Sequence, residues 1–141
     1  MEIEINYLAV LLAMVASMVV GFIWYSPALF GKKWAALHGM DAEKMKASQK
    51  EAGKAYVISA IFSIVTAYVL AHVVGLSQAF YHYSDLSTGL STAFWMWLGF
   101  VMPVQATATL FSDKKQWALF GIDTCYQLVA MLAMGKVIGL M

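Results

Sequence analysis

The chain has 141 residues, of which 62% are hydrophobic and only 12% are charged, with a formal net charge of +1. Soluble domains carry about 25% charged residues, so this composition excludes an ordinary soluble protein. The charges are also segregated, because residues 5–31, 55–84 and 86–112 contain no Asp, Glu, Lys or Arg. From residue 116 onward only Asp123 and Lys136 are charged. We therefore expect a protein of the lipid bilayer without a nucleic-acid partner.

Each charge-poor segment is long enough to cross a membrane as a helix, which takes about 20 apolar residues. In lipid such a run satisfies its backbone only as a helix or a closed barrel, and the strict alternation of barrel strands is missing here. Glu2 and Glu4 replace the basic start of a signal peptide, so we expect the first segment to be retained. The sequence predicts an all-α, integral membrane four-helix bundle, one domain over residues 1–141. The predicted spans are about 5–26, 55–75, 87–110 and 117–138.

The distribution of lysine predicts the orientation. The connections between spans 1 and 2 and between spans 3 and 4 carry lysines, whereas the connection between spans 2 and 3 has none. The positive-inside rule makes the lysine-bearing side cytoplasmic, with both termini outside. The lysines are Lys32, Lys33, Lys44, Lys46, Lys50, Lys54, Lys114 and Lys115. Aromatic residues that mark the two interfaces are Trp24, Tyr25, Trp34 and Trp117 inside and Tyr7, Tyr81 and Tyr83 outside.

Residues 41–54, between spans 1 and 2, are rich in helix formers, and Asp41 is placed to cap the start of a helix. A lysine-rich cytoplasmic helix is therefore expected here. It either continues into span 2 as one long helix or lies at the interface and bends, with Gly53 as the weak point.

Small residues recur four apart along spans 1 and 2, a pattern typical of close helix packing in lipid. We interpret both faces as protein-facing, and the pattern leaves open whether they meet each other or a second copy. A homo-oligomer or a membrane-protein partner is accordingly expected. The residues are Ala9, Ala13, Ser17 and Gly21 in span 1, and Ala55, Ser59, Ser63, Ala67, Ala71 and Gly75 in span 2.

A weaker pattern indicates internal duplication. LFGKKW at 29–34 resembles LFSDKKQW at 110–117, and GFIW and GFVM upstream are each followed by a proline, Pro27 or Pro103. If this is not chance, the chain consists of two parallel two-helix repeats.

Asp123 is the only acid within the predicted spans, and such residues mark functional or paired groups. Gln105 lies equally far from Lys114 on the preceding span, so we expect it at the same depth. Gln127 and Thr109 follow these two residues on the same helical faces. One interpretation is a polar cavity for a proton or cation. The other is a Gln105–Asp123 hydrogen bond that fixes the hairpin of spans 3 and 4.

The sequence gives little support to a metal site or to catalysis. His72, His82 and Asp85 match no recognised metal-site spacing, so no metal site is predicted. Ser17, Ser59 and Ser63 have no histidine at their depth, and we interpret Cys125 as a small packing residue. No catalytic residues and no cofactors are expected, so the chain is not predicted to be an enzyme.

A motif at the end of span 1, G-x-x-W-Y-S-P-x-x-F-G-x-x-W, is the most specific in the chain. Asn6 precedes it, and a looser L-F…K-K-x-W-x-L-F pattern follows at 110–120, then Asp123, Cys125 and Tyr126. With these features the chain resembles the bacterial domain-of-unknown-function family numbered 1761. The resemblance implies four spans in the bacterial inner membrane and brings no activity to carry over. The motif residues are Gly21, Trp24, Tyr25, Ser26, Pro27, Phe30, Gly31 and Trp34.

Two functions remain open. The leading hypothesis is a small non-catalytic inner-membrane protein that self-associates or acts as a subunit or scaffold of a membrane complex. The alternative is an oligomeric channel or transporter for a small solute, ion or proton that uses Asp123 and Gln105. In either case the motif residues from Trp24 to Trp34 exceed what membrane anchoring requires. The favoured interpretation is that they mark only the exit of span 1 from the membrane, and the alternative is that they form a shaped cytoplasmic rim that faces the Asp123 hairpin.

Overall fold

The computed structural model describes residues 3–82 and 84–141, so Glu2 and Tyr83 lie outside the described residues. The described part contains helices and no strand. Asn6 caps the first helix by accepting a hydrogen bond from the backbone of Ala9. The helices are α1 Tyr7–Trp24, α2 Gly31–Leu37, α3 Ala42–Tyr81, α4 Asp85–Met96, a π-helical segment Trp97–Val101, α5 Met102–Phe111 and α6 Trp117–Leu140.

Four helices are long and apolar enough to cross a membrane: α1, α3, the continuous helix Asp85–Phe111 and α6. This confirms the predicted all-α membrane bundle. The first, third and fourth spans begin and end within two residues of the predicted bounds. The helix that contains span 2, α3, also includes the predicted extension over 41–54 and ends six residues beyond the predicted span, and the short helix α2 before it was not predicted.

Helix α3 runs unbroken over 40 residues from Ala42 to Tyr81. Asp41 caps it, because its side chain accepts a 2.8 Å hydrogen bond from the backbone of Lys44. Gly53 interrupts nothing, and the space where a Cβ would stand is open. The long-helix alternative is therefore the one the structure adopts. Residues 42–54 extend the helix by about 20 Å beyond its apolar part.

The last helix, α6, packs between α1 and α4. The contact with α4 is very close, since a Cβ on Gly135 would overlap the carbonyl oxygen of Gly89, and one on Gly139 would stand 2.5 Å from the carbonyl oxygen of Asp85. Small residues permit this approach in lipid. The sequence analysis did not use these glycines, although Gly135 and Gly139 show the same four-residue spacing as the two predicted faces.

The small residues of spans 1 and 2 pack mostly within the chain. Ala9, Ala13 and Ser17 on α1 are buried, as are Ala67 and Ala71 on α3. Further along the faces, a Cβ on Gly21 would meet the hydroxyl of Tyr126 at 3.2 Å, and one on Gly75 would meet Ile3 at 2.7 Å. Toward the lysine-bearing end, however, Ala55 and Ser59 are exposed and Ser63 is half-buried. Helix α3 leaves the bundle there.

The π-helical segment precedes Pro103 in span 3, where the backbone N–H of Met102 donates to the carbonyl of Trp97. Pro103 has no N–H to offer the carbonyl of Gly99, so the ordinary helical pattern fails at this point. After the segment, α5 buries none of its residues. Span 3 therefore packs tightly through α4 and loosely through α5.

The two similar motifs adopt different local structures. Pro27 lies in the turn after α1, whereas Pro103 lies inside span 3. Lys32 and Lys33 belong to helix α2, whereas Lys114 and Lys115 lie in the turn and extended stretch between α5 and α6.

Candidate functional site

The motif after α1 folds into a compact turn. Tyr25 ends the helix by donating its backbone N–H to the carbonyl of Gly21 at 3.0 Å, and Ser26 donates its hydroxyl to the carbonyl of Ile23 at 2.7 Å. The chain then folds back, and the backbone N–H of Gly31 donates to the carbonyl of Ser26 at 3.0 Å. A Cβ on Gly31 would overlap the carbonyl oxygen of Tyr25, so this position requires glycine. Helix α2 starts directly from the turn. We call residues 24–34 the aromatic turn.

Ring contacts hold the aromatic turn together. Trp24 lies 4.7 Å from Phe30, and the ring of Tyr25 meets that of Trp34 edge-on at 5.7 Å. Such pairs stabilise beyond the area they bury. The turn is also tied to α6, because Trp24 donates its indole N–H to the carbonyl of Ile122 at 3.1 Å.

Next to that tie, the hydroxyl of Tyr25 donates a 2.7 Å hydrogen bond to Oδ1 of Asp123. A hydrogen bond to a carboxylate is stronger than one between neutral groups. Tyr126, one turn further along α6, packs edge-on against the same tyrosine ring at 5.1 Å. The aromatic turn and the Asp123 hairpin are therefore in direct contact, as the rim interpretation predicted.

The expected hydrogen bond between Gln105 and Asp123 is not formed. Gln105 instead accepts a hydrogen bond from the hydroxyl of Thr124, the neighbour of Asp123, and Trp97 donates its indole N–H to the carbonyl of Thr124 at 3.0 Å. Gln105 does lie at nearly the depth of Asp123. Successive residues of a helix, however, point about 100° apart, so residues at the same depth need not face each other. Thr124 therefore faces span 3, while Asp123 faces the aromatic turn.

The four predicted polar residues divide between two places. Asp123, Gln105 and Thr109 line one cavity, with the hydroxyl of Thr109 bonded to the carbonyl of Gln105. Gln127 lies one turn from Asp123 and borders a different space, between α3 and α6. Thr124 and Trp97 were missed, because nothing in the sequence distinguishes a threonine or tryptophan facing span 3 from one facing lipid.

The cavity has a volume of about 840 Å³ and lies between α2, α5 and α6 at the lysine-bearing end. We call it the Asp123 cavity. Residues of α5 and α6 line one side of it, and Ala36 and Leu37 of α2 line the other. Its polar lining consists of His38, Gln105, Thr109, Ser112, Lys114, Gln116 and Asp123.

The arrangement joins the two parts of the chain that carried the family resemblance. A family model described as "Protein of unknown function (DUF1761)" matches residues 8–139. The chain belongs to the DUF1761 family. No curated protein and no solved structure matches it. In this DUF1761 protein the aromatic turn supplies Tyr25 and α6 supplies Asp123, so the two motif regions meet at one hydrogen bond.

The remaining candidate residues lie elsewhere. Nδ1 of His72 lies 3.0 Å from the carbonyl oxygen of Tyr68, and Asp85 accepts a 3.2 Å hydrogen bond from Gln78. Among residues 3–82 and 84–141, no group of three His, Cys, Asp or Glu residues is placed to hold a metal ion. The interpretation of Cys125 as a packing residue is wrong, because its side chain is exposed.

Proposed function

We propose that this DUF1761 protein is a small channel or transporter subunit that takes a cation, proton or small polar solute into the Asp123 cavity. The observation that supports this is the position of Asp123, the only acid within the predicted spans, on a cavity of about 840 Å³. An acid placed within a membrane costs roughly 2.5–3.5 kcal/mol on insertion scales and is therefore a functional candidate.

The hydrogen bond from Tyr25 leaves Asp123 capacity to bind something else. It occupies Oδ1, and it is the only hydrogen bond that the carboxylate makes with the described residues. An ionised carboxylate has about four acceptor positions on its two oxygens. Tyr25 thus orients the carboxylate, and a solute in the cavity binds the remaining positions.

The opposite half of the bundle is closed. Leu70 and Val74 of α3 and Met131 and Met134 of α6 are buried together in an apolar core. A solute reaches Asp123 from the lysine-bearing side and passes this core only if the helices move. The proposal therefore favours alternating access over a permanently open pore.

We further propose that the lysine-bearing side is cytoplasmic, that both termini lie outside and that the membrane is the bacterial inner membrane. The distribution of lysine supports the orientation. The Asp123 cavity then opens to the cytoplasm.

Flux through liposomes containing purified protein tests the proposal. Fluxes of protons, of monovalent cations and of a small polar solute, glycerol, are recorded for the wild type, for Asp123→Asn and for Asp113→Asn. Asp113 is exposed in the nearby turn, so its variant makes the same chemical change outside the cavity. We expect Asp123→Asn to abolish flux and Asp113→Asn to retain it. Equal flux in all three proteins, or none in the wild type, contradicts the proposal.

A second candidate is the non-catalytic scaffold or self-associating subunit. The small-residue faces of spans 1 and 2 support it less than the sequence suggested, because most of their residues pack within the chain. A different feature favours it: the extension of α3 is a long helix with a thin apolar face, on which Ala42 and Met45 are exposed and Ala52 is half-buried. An uncovered face on a projecting helix suits contact with a second copy or a partner.

Native mass spectrometry in lipid nanodiscs tests this second candidate. We expect an oligomer of the wild type that Met45→Glu dissociates and Ala47→Glu leaves intact, since the exposed Ala47 lies about 200° around the helix from Met45, away from the apolar face. A monomeric wild type, or an oligomer that both variants keep, counts against self-association through this helix. Gly21→Leu is unsuitable here, because Gly21 contacts Tyr126 in the same chain.

A further inference from the structure

A second polar space lies inside the bundle, on the other side of Tyr25 from the Asp123 cavity. It consists of two adjoining cavities of about 280 Å³ each, which share Ser59 and Tyr126 in their linings. It forms where α3 leaves α1 and α6 toward the lysine-bearing end. We call it the α3 crevice. The side chains in its lining that carry a hydroxyl or amide group are Ser17, Tyr25, Tyr56, Ser59, Ser63, Thr66, Tyr126 and Gln127.

Two of the hydroxyl groups that line the crevice are satisfied locally. Ser17 donates to the carbonyl of Met14 at 2.9 Å, and Thr66 donates to the carbonyl of Phe62 at 3.0 Å, both within their own helices. Hydroxyl groups in membrane helices commonly bond in this way. These two residues therefore require no further partner.

Four other polar side chains in the crevice are not hydrogen-bonded within their own helices. The hydroxyls of Ser59, Ser63 and Tyr126 and the side-chain amide of Gln127 make no hydrogen bond with residues 3–82 or 84–141. An amide has two donors and an acceptor, so Gln127 alone leaves several groups unpaired. In hydrocarbon such groups are costly because lipid tails offer no partner.

The crevice lies well inside span 2. Ser63 stands nine residues beyond Lys54, or about 13 Å along the helix axis. Beyond it the space ends at Met131 and Met134, which belong to the buried apolar core. The unpaired groups are thus at the depth of the hydrocarbon, on the lysine-bearing side of the closed core.

We propose that the α3 crevice is a second polar binding site, filled with water and able to admit small neutral solutes that carry hydroxyl or amide groups. No charged side chain lines its described part, which argues against an ionic ligand. Each of the two cavities, of about 280 Å³, has room for several water molecules. The site is independent of solute binding at Asp123, because its hydration follows from its own lining.

Tyr25 relates this site to the Asp123 cavity. Its ring lines the crevice next to Ser59 and Tyr126, while its hydroxyl bonds to Asp123 on the other side. One side chain therefore forms the wall between two polar spaces. Phe22 and Phe62 at the edges of the crevice are 54% and 67% exposed.

Reaction of introduced cysteines with a water-soluble cationic methanethiosulfonate tests the proposal. The variants Ser63→Cys and Gln127→Cys are made in a Cys125→Ala background, and the full-length proteins are labelled in liposomes from the lysine-bearing side. Val65→Cys is the matched control, because Val65 lies two residues from Ser63 on α3 and is 54% exposed with an apolar surround. A thiol reacts as its thiolate, which forms in water and not in hydrocarbon, so we expect Ser63→Cys to react about ten times faster than Val65→Cys. Thermal unfolding of each variant confirms that it is folded.

Each outcome decides the question. Faster labelling at both crevice positions supports a hydrated site. A rate at Ser63→Cys equal to that at Val65→Cys, both with the cationic reagent and with the smaller silver ion, means that lipid fills the crevice and overturns the proposal. A spontaneous disulfide between two copies of Ser63→Cys means that a second chain covers it, which also overturns the proposal. None of these outcomes depends on Asp123→Asn, so the channel proposal stands or falls separately.

Discussion

Tyr25 and Asp123, 98 positions apart in the chain, are joined by a 2.7 Å hydrogen bond from phenol to carboxylate. The preceding residue, Trp24, bonds to the carbonyl of Ile122, the residue before Asp123. Two consecutive residues at the end of α1 are therefore matched with two consecutive residues of α6. This pair of bonds fixes the height of α1 relative to α6 and holds Asp123 at the wall of its cavity.

Removing the Tyr25 hydroxyl should weaken the protein measurably. In Tyr25→Phe the ring contacts with Trp34 and Tyr126 remain, but a hydrogen bond to a charged group is lost. We expect the free energy of unfolding to fall by about 1 to 3 kcal/mol. Denaturant unfolding in detergent micelles, followed by circular dichroism, measures it.

Tyr56→Phe is the matched control for Tyr25→Phe. Tyr56 is 50% exposed and its ring packs on Phe22 at 5.2 Å, which phenylalanine preserves. We expect a change close to zero. An equal loss of stability in both variants would show that the Tyr25–Asp123 bond has no special importance.

The close approach of α4 and α6 should not tolerate a methyl group. Gly135→Ala places a Cβ against the carbonyl oxygen of Gly89, so one helix must move away. We expect a loss of about 1 to 3 kcal/mol in the free energy of unfolding. Gly121→Ala on the same helix meets nothing within 4 Å and should be neutral or stabilising. Thermal unfolding of both variants decides this, and equal melting temperatures refute the tight contact.

The spans were predictable because the apolar segments are long and charges bound them. The helix faces were partly predictable: Ala13 and Ala67 are fully buried, as the four-residue spacing indicates. The same spacing extends to Ser59, which is exposed, because a local pattern does not show where two helices diverge. That divergence depends on the packing of three helices at once.

The sequence predicted which polar residues lie near the site, but not which of them are hydrogen-bonded to each other. The sequence places Asp123 and Gln105 at similar depth. In the structure, however, Gln105 accepts its hydrogen bond from Thr124, the next residue along α6. The partner of Asp123 comes from the opposite end of the chain, so no count along the hairpin could find it. The only sequence signal for this contact was that the stretch around Tyr25 contains more aromatic residues than membrane anchoring requires.

The aromatic turn should depend on Gly31. A Cβ there overlaps the carbonyl oxygen of Tyr25 and stands 2.8 Å from that of Ser26, so Gly31→Ala must open the turn. We expect a loss of about 1 to 3 kcal/mol in the free energy of unfolding, and a weaker hold on Asp123. Gly53→Ala is the control, since its surroundings are open and alanine favours a helix interior by about 0.5 to 1 kcal/mol. If Gly31→Ala unfolds at the same denaturant concentration as the wild type, the close contact is not required.

The orientation of the bundle has a direct test in reporter fusions. Alkaline phosphatase folds and becomes active outside the cytoplasm, whereas green fluorescent protein exported in an unfolded state stays dark. Fused after residue 141, phosphatase should be active and the fluorescent protein dark. Fused after residue 115, in the turn that carries Lys114 and Lys115, the results should be reversed. The lysine-rich extension of α3 lies on this same side, because two spans separate it from Lys114 and Lys115. Fluorescence from the fusion at residue 141 would place the Asp123 cavity outside the cell, and the solute would then enter it from the opposite direction.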